Sequence, residues 1–330
     1  SSYLYGENSL EAAQAMMDAT QSVYLLEDYK TLYKYIEKAL AIRLEILGEN
    51  HLDTAQCFND LGVVSGKLGD NKGLEIRLAL NAPGEILAES YNTAGVAMSH
   101  FGDNETNLEY QLKALELRRA TIGEQNIDTA NSYSQVGIAY AAIENFEKYL
   151  EYSQMALEIL QKIAGEKHPD TGLFHNNVGD AYMCLEKYPE SIEHLQKALN
   201  IDLKTKGKMT YGTLVAYENL SVAYELSGDY EKALKYQIDA VHISDKVNKD
   251  THPKHLEVYE RAGELFNKYG DNENALNYLY HALELRFKIA KEDKLPNGPN
   301  PSFELADLCH EIGSVHFGMT NFKEAERMLN

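Results

Sequence analysis

The chain of 330 residues carries 31 basic and 51 acidic side chains, which gives a formal net charge of −20. This excess of negative charge disfavours nucleic acids and anionic membrane surfaces as ligands, because both are bound through basic patches, and it favours a basic partner. Hydrophobic residues make up 44% of the sequence, so the chain has enough apolar surface to form a packed core.

The cysteines and the apolar patterning predict a cytoplasmic protein, with a cytoskeletal or ciliary location as the alternative. Cys57, Cys184 and Cys309 stand far apart, as is typical of free thiols in a reducing compartment. No apolar run approaches the roughly 20 residues that cross a membrane. The first 20 residues contain no Lys or Arg, so we expect no signal peptide. Ser1 in place of an initiator Met, and a helical pattern still running at Asn330, favour an internal fragment.

A small residue returns at a fixed spacing along the chain. Five anchor residues follow one another at intervals of 42 residues: Gly95, Gly137, Gly179, Ser221 and Gly263. Thr20 and Gly62 have the same separation, whereas Gly62 to Gly95 is 33 residues and Gly263 to Gly313 is 50. A period of this size indicates an array of one structural unit.

Each unit begins with a helix around its anchor, here named helix A. An apolar residue commonly stands one position before the anchor, and aromatic residues stand four before and three after it, as Tyr133 and Tyr140 do around Gly137. These offsets share one face of a helix. Seven residues after the anchor comes a turn, such as Gly102-Asp103, because Gly suits a helix end and Asp the start of the next helix.

A second helix, helix B, follows the turn. It carries Ala-Leu at 19 and 20 residues past the anchor, and it often closes on Leu-x-Leu-Arg, as at 115–118. A linker of the type Gly-Glu-x-x-x-Asp-Thr then leads to the next helix A, as at 123–129 and 165–171. Pro169 in the second of these linkers lies where a missing N–H costs a helix little.

These residues resemble the tetratricopeptide repeat (TPR), and the period of 42 with the linker 165–171 resembles the kinesin light chain subclass. The resemblance implies an all-α, right-handed α-solenoid of about seven helix-turn-helix pairs, whose A helices line a concave groove. We expect a single TPR-like solenoid over 1–330, with repeats at about 9–48, 53–82 (shortened), 85–123, 128–165, 170–207, 210–249, 252–292 and 302–330 (incomplete).

Two departures from the period stand out. The repeat near 70–85 is nine residues short, through either a short helix B or residues missing from the sequence. The segment 291–301 is a Pro-rich insertion, which we interpret as an exposed loop, either tolerated or a contact for a partner.

The groove would present positions −6, −3, +1, +4 and +5 from each anchor. The first half is rich in amides, which can hold the backbone of an extended peptide. The second half is acidic, with Lys268 as the only opposing charge at these positions, and would attract Lys or Arg. The candidate peptide-binding residues are Asn59, Asn92, Asn131, Asn176, Asp180, Glu218, Glu225, Glu257, Glu260 and Glu264. A merely solvated acidic face is the alternative interpretation.

We therefore expect a non-enzymatic scaffold or adaptor that binds an extended, partly basic protein segment, without nucleic acid, membrane insertion or cofactor. The alternatives are a structural subunit of a large axonemal, ciliary or motor-associated assembly, and the sensor arm of a larger regulatory protein. No nucleophile or phosphate-loop motif is present in the sequence. His252 and His255 lack further ligands at zinc spacing, so we expect a structural role for them, with no catalytic or metal-binding residue.

Overall fold

The computed structural model describes residues 8–25, 29–48, 51, 53–54, 56–58, 60–61, 64, 74, 77–78, 82–247, 252–292 and 301–329. Within these ranges the regular structure is entirely α-helical, as expected for an all-α solenoid. The helices are α1 (Leu10–Leu25), α2 (Tyr29–Leu47), α3 (Gly84–His100), α4 (Asn104–Thr121), α5 (Ile127–Ala142), α6 (Phe146–Ala164), α7 (Pro169–Cys184), α8 (Tyr188–Thr205), α9 (Tyr211–Leu226), α10 (Tyr230–Val247), α11 (Pro253–Lys268), α12 (Asn272–Glu292), α13 (Pro301–Gly318) and α14 (Phe322–Leu329).

The chain comprises two compact units, Ser1–Gly165 with α1 to α6 and Glu166–Asn330 with α7 to α14. The odd-numbered helices are A helices and the even-numbered ones are B helices. Each A helix packs on the B helix that follows it, and α4, α8, α10 and α12 each pack on the next A helix. Successive helix pairs therefore stack within each unit, as a solenoid requires.

The small anchors are required where the two helices of a pair meet. A Cβ at Gly179 would lie 2.8 Å from Cγ of Leu195 on helix B, closer than carbon atoms approach without displacement. Ser221, the one serine among the regularly spaced anchors, is fully buried, and its Oγ donates to the carbonyl of Ala233 at 2.9 Å. The period of 42 thus marks the closest helix–helix contact of each repeat.

The aromatic positions of helix A meet a third aromatic residue on helix B, which the sequence analysis missed. In α5 and α6, Tyr133 and Tyr140 lie 6.0 and 5.3 Å from Tyr152, measured between ring centroids. The same arrangement recurs 15 residues past other anchors, at Tyr110, His194, Tyr236 and Tyr278. Aromatic packing of this kind stabilises the pair beyond the buried area.

The turns and linkers follow the sequence prediction. The glycines of the A–B turns and of the linkers have positive φ, as at Gly102 (81°) and Gly165 (85°). Asp103 caps α4 by accepting the N–H of Thr106, while His168 and His252 cap α7 and α11 through their Nδ1 atoms. The structural role expected for His252 is confirmed.

The arginine that closes helix B joins two successive A helices. Arg118 is buried, and its guanidinium donates to Ser132 Oγ at 2.6 Å on α5 and to Glu89 Oε2 at 2.7 Å on α3. Arg43 makes the corresponding contacts with Cys57 and Gln14. A planar guanidinium with several donors suits such a buried junction.

Both departures from the period fall largely outside the described residues. In the short repeat near 70–85, Leu74 and Arg77 are buried, but 65–73, 75–76 and 79–81 lie outside the described part. In the insertion 291–301, position 291 belongs to the last turn of α12 and position 301 begins α13. Positions 293–300 lie outside the described residues. Among the described helices none is long and apolar enough to span a membrane.

Candidate functional site

Each A helix leaves one face uncovered by helix B, and most of the candidate binding residues lie on it. Beyond the first turn of α11, the positions that keep solvent contact are 257, 260, 261, 264, 267 and 268. They follow the helical repeat and correspond to −6, −3, −2, +1, +4 and +5 from the anchor. We call the side chains at these offsets the A-helix face. Position −2 was not among the predicted offsets.

In the 1–165 unit this face is amide-bearing and apolar. Asn92 on α3 and Asn131 on α5 are half-buried, and Val96 and Ile138 are exposed beside them. The Oδ1 atom of Asn92 is itself buried. This side chain therefore exposes fewer hydrogen-bonding atoms to a partner than the sequence indicated. The side chain of Asn131 makes no hydrogen bond within the described part of the unit. Asn59 lies outside the described residues.

In the 166–330 unit, α7 and α9 are joined across the face by a pair of amides. The Nδ2 atom of Asn219 donates to Oδ1 of Asn176 at 2.9 Å. Asp180 is half-buried one turn further along α7. The amide oxygen of Asn176 is therefore engaged by the next repeat, and a peptide would have to compete for it.

Two predicted glutamates of α9 are held by cations of α11. The Oε1 atom of Glu218 lies 3.1 Å from Nζ of Lys254, which also contacts Glu257 at 3.1 Å. Burial of Glu218 raises its carboxyl pKa, and the nearby Lys254 opposes that shift. Glu257 itself remains well exposed.

Glu225 is the most enclosed carboxylate of the set, with 9% of its side chain exposed. It pairs with Arg261 Nη2 and, at 2.7 Å, with Nζ of Lys268, both on α11. An ion pair with this little exposure depends on its geometry. Removal of either the carboxylate or its cations would leave a desolvated charge without a partner. Glu225 is thus a structural link between α9 and α11.

The remaining carboxylates are concentrated on α11 and α13. Glu260 pairs with Nη2 of Arg286 at 2.6 Å, whereas Glu264 has no cation within 4 Å among the described residues. Burial raises the pKa of Glu264, the nearby Arg261 opposes that shift, and repulsion from Glu260 and Glu225 adds to it. Glu311 on α13, which the sequence analysis did not single out, has its pKa raised to about 7 by burial and by repulsion from Glu264 and Glu260.

Cations outside the predicted offsets lie beside the predicted glutamates, in addition to Lys268. Lys254, Arg261 and Arg286 also neutralise predicted glutamates. They were missed because Lys254 and Arg261 stand at −9 and −2 from the anchor, and Arg286 reaches the face from helix B.

The face offers no arrangement for metal binding within the described ranges. There, no three His, Cys, Asp or Glu side chains are placed to hold a metal ion. His255 is buried, with Nδ1 2.9 Å from Ser244 Oγ, which confirms its structural role. What the face presents chemically is a set of amides, apolar side chains and partly paired carboxylates.

Comparison with known proteins supports the repeat assignment. A family model described as a tetratricopeptide repeat matches residues 86–162, 144–204, 170–245 and 212–286, more than half of the chain. Among curated proteins, none matches the sequence.

Three solved structures illustrate the likeness in fold. BtubC from P. vanneervenii is 19% identical with a TM-score of 0.58, over 72% of this chain and 94% of that one. A Podosopora anserina putative kinesin light chain with nearly identical TPR-like repeats is 18% identical with a TM-score of 0.54, over 64% and 99%. A signal transduction ATPase with a tetratricopeptide repeat sensor from Pyrococcus horikoshii is 17% identical with a TM-score of 0.62, over 97% of this chain but only 47% of that protein.

Proposed function

Because the chain belongs to the tetratricopeptide repeat family, whose repeats serve as protein-interaction scaffolds, we propose that it is a non-enzymatic adaptor that binds an extended, partly basic protein segment. The binding surface is the A-helix face of the 166–330 unit. Lys or Arg side chains of the partner contact the carboxylates of α11 and α13, and its backbone contacts the amides of α7 and α9.

The observation that carries the proposal is the imbalance of charge at α11 and α13. Glu264 and Glu311 lie close enough to repel each other, and neither has a cation within 4 Å among the described residues. A partly buried carboxylate without a counterion is unfavourable, as the pKa of about 7 for Glu311 expresses. A cation supplied by a partner would relieve this repulsion, whereas a partner carboxylate would increase it.

The A-helix face of the 1–165 unit suits a different part of a partner. Asn131 can donate to and accept from a peptide backbone, and the exposed Val96 and Ile138 can cover an apolar side chain. We propose that α3 and α5 bind a segment chosen by shape and apolar content rather than by charge.

The experiment is selection of displayed random twelve-residue peptides on the immobilised chain, followed by fluorescence anisotropy titration of the enriched peptides. We expect peptides rich in Lys or Arg, which bind the Glu264→Gln/Glu311→Gln variant at least tenfold more weakly, because two unpaired carboxylates are removed. Glu284→Gln is the control: it removes the same type of charge from the exposed side of helix B in the same unit.

Two results would contradict the proposal. One is a selected set without basic residues. The other is an equal loss of affinity in the Glu284→Gln variant, which would mean that only the overall negative charge attracts the peptides. Purification of the protein from its source in a fixed, salt-resistant ratio with large partners would instead favour a structural subunit.

A further inference from the structure

The linker between α8 and α9 keeps the backbone of the other linkers but not their side chains. Gly207 has a φ of 89°, and Oγ1 of Thr213 donates to its carbonyl at 2.9 Å. The linker 123–129 has the same two features, with a φ of 86° and a bond of 2.7 Å. Between these fixed ends, the sequence Gly-Lys-Met-Thr-Tyr-Gly-Thr at 207–213 stands where 165–171 has Gly-Glu-Lys-His-Pro-Asp-Thr. The intervening side chains are therefore not dictated by the fold of the linker.

The altered side chains are large, apolar and exposed. Met209 is 50% exposed and Tyr211 is 53% exposed. Leu173 on α7 is also 53% exposed, at the −6 position where α5 has Asn131. Isolated apolar side chains on a surface are ordinary, but three whose backbone positions lie near one point require a reason.

That common point is the buried carboxylate of Asp202 on α8. One of its oxygens lies 3.2 Å from the position that a Cβ of Gly172 would take, and the other lies 3.0 Å from the corresponding position at Gly212. Leu173 follows the first glycine and Tyr211 precedes the second. The backbone beside Leu173 and that beside Tyr211 therefore approach the same carboxylate, and Met209 lies two residues before Tyr211.

One charge of this surface is reversed relative to the same place in other repeats. Lys208 occupies the position of Glu124 and Glu166. Lys204, Lys206 and Lys208 are all exposed. Two of them are partly neutralised, since Lys206 Nζ lies 2.8 Å from Asp202 Oδ1, and Lys208 Nζ lies 3.6 Å from Asp239 Oδ1. The lysines stand out in a chain with a net charge of −20.

We infer that this basic linker patch, formed by Leu173, Lys204, Lys206, Lys208, Met209 and Tyr211, is a second docking surface that binds an acidic protein segment bearing an apolar side chain. Tyr211, Met209 and Leu173 supply the apolar contact, and the lysines select for Asp or Glu. The negative charge on the rest of the chain opposes this little, because salt screens it beyond a Debye length of about 8 Å. The patch lies at the linker end of the repeats and shares only Leu173, at −6 from its anchor, with the A-helix face.

The test compares the chain with a variant in which the linker takes the side chains of 165–171. Lys208→Glu/Met209→Lys/Tyr211→Pro does this at three positions, and it retains Thr210, which caps α9, and Gly212, where a Cβ would press on Asp202. Random twelve-residue peptides are displayed and selected on the intact chain, and the acidic ones are titrated by fluorescence anisotropy. Lys148→Glu on α6, an exposed lysine in an i, i+3 pair, is the matched control.

We expect enriched peptides that combine Asp or Glu with an apolar residue, and that bind the linker variant at least tenfold more weakly but the Lys148→Glu variant as well as the unaltered chain. Their affinity for Glu264→Gln/Glu311→Gln should be unchanged, which separates this surface from the proposed groove. The inference is overturned if no acidic peptide is enriched, or if the linker variant binds such peptides normally while circular dichroism shows both proteins folded. Binding only to vesicles containing phosphatidylserine would also overturn it, since the surface would then recognise lipid.

Discussion

Acid should weaken the α7–α8 helix pair through a buried histidine and its half-buried neighbour. His175 and His194 replace the tyrosines that occupy the corresponding places in α5–α6 and α9–α10, and their Nδ1 atoms lie 3.0 Å apart. One Nδ1 atom must donate and the other must accept, so the two Nδ1 atoms cannot both carry a proton. Burial, repulsion from His194 and the nearby Lys197 lower the pKa of His175 to about 4, and burial lowers the pKa of His194 as well.

The loss of stability follows from the difference between the folded and unfolded pKa values. An unfolded histidine takes up its proton near pH 6.5, whereas His175 in the folded state does so near 4. The folded state therefore binds fewer protons throughout this interval, and the free energy of unfolding falls as the pH falls. His175, which is 5% exposed, alone accounts for a loss of about 2 kcal/mol between pH 7 and pH 5, and for about 3 kcal/mol once the pH is below 4. His194 adds to this loss.

The measurement is urea unfolding followed by circular dichroism at pH 7 and pH 5, for the unaltered chain and for His175→Tyr/His194→Tyr. The variant restores the tyrosines of the neighbouring repeats, and it should lose about 2 kcal/mol less stability on acidification. Because repeat arrays can unfold in parts, hydrogen exchange at α7 and α8 locates the effect. His168→Asn, which exchanges an exposed capping histidine for the residue that caps α5, is the control.

An equal loss in both proteins would refute this reasoning. It would mean that the acid sensitivity comes from carboxylates elsewhere, and that the histidine pair accepts a proton without cost. A loss confined to the unaltered chain but located by hydrogen exchange outside α7 and α8 would likewise contradict it.

Three further substitutions test the packing and the ion pairs. Arg118→Ala should lower the free energy of unfolding by about 2–4 kcal/mol, because it removes a buried guanidinium and leaves its partners unsatisfied; urea unfolding measures it. Gly179→Ala should cost about 1–3 kcal/mol, since the added methyl meets Leu195, whereas Gly318→Ala, with open space around the Cβ position, should not. Glu225→Gln should destabilise the chain by about 2 kcal/mol or more and leave selected basic peptides bound within threefold, because its carboxylate already serves the cations of α11; loss of peptide binding at unchanged stability would contradict this.

The repeat and its helices could be predicted because their signals recur at fixed positions. Gly95, Gly137 and Gly179 mark the same close contact in successive repeats, so one interpretation of the spacing accounts for all of them. The aromatic contact at 15 residues past the anchor is equally periodic, and it was missed because helix B was aligned only on its Ala-Leu at 19 and 20, not on the position of Tyr152 and His194.

The charges of the site could not be predicted in the same way, because pairing across helices depends on three-dimensional neighbours. Glu225 and Glu264 look alike in sequence, each standing on the uncovered face of an A helix. In the fold one is paired with Arg261 and Lys268, and the other forms no ion pair and feels Arg261 together with two like charges. Nothing in the local sequence of α9 shows that α11 will supply two cations to it.

This difference determines where along the A-helix face a basic partner would gain the most binding free energy. Displacing Lys254 from the exposed Glu257 exchanges one surface ion pair for another, and such pairs contribute about 0–1 kcal/mol. A cation placed between Glu264 and Glu311 replaces repulsion with attraction at a site that is already partly desolvated, where charge interactions are less screened. The affinity of the proposed adaptor should therefore depend on one or two partner cations near α13 rather than on the total charge of the partner. A net charge of −20 governs how often partners approach, and the pairing pattern governs which of them stay bound.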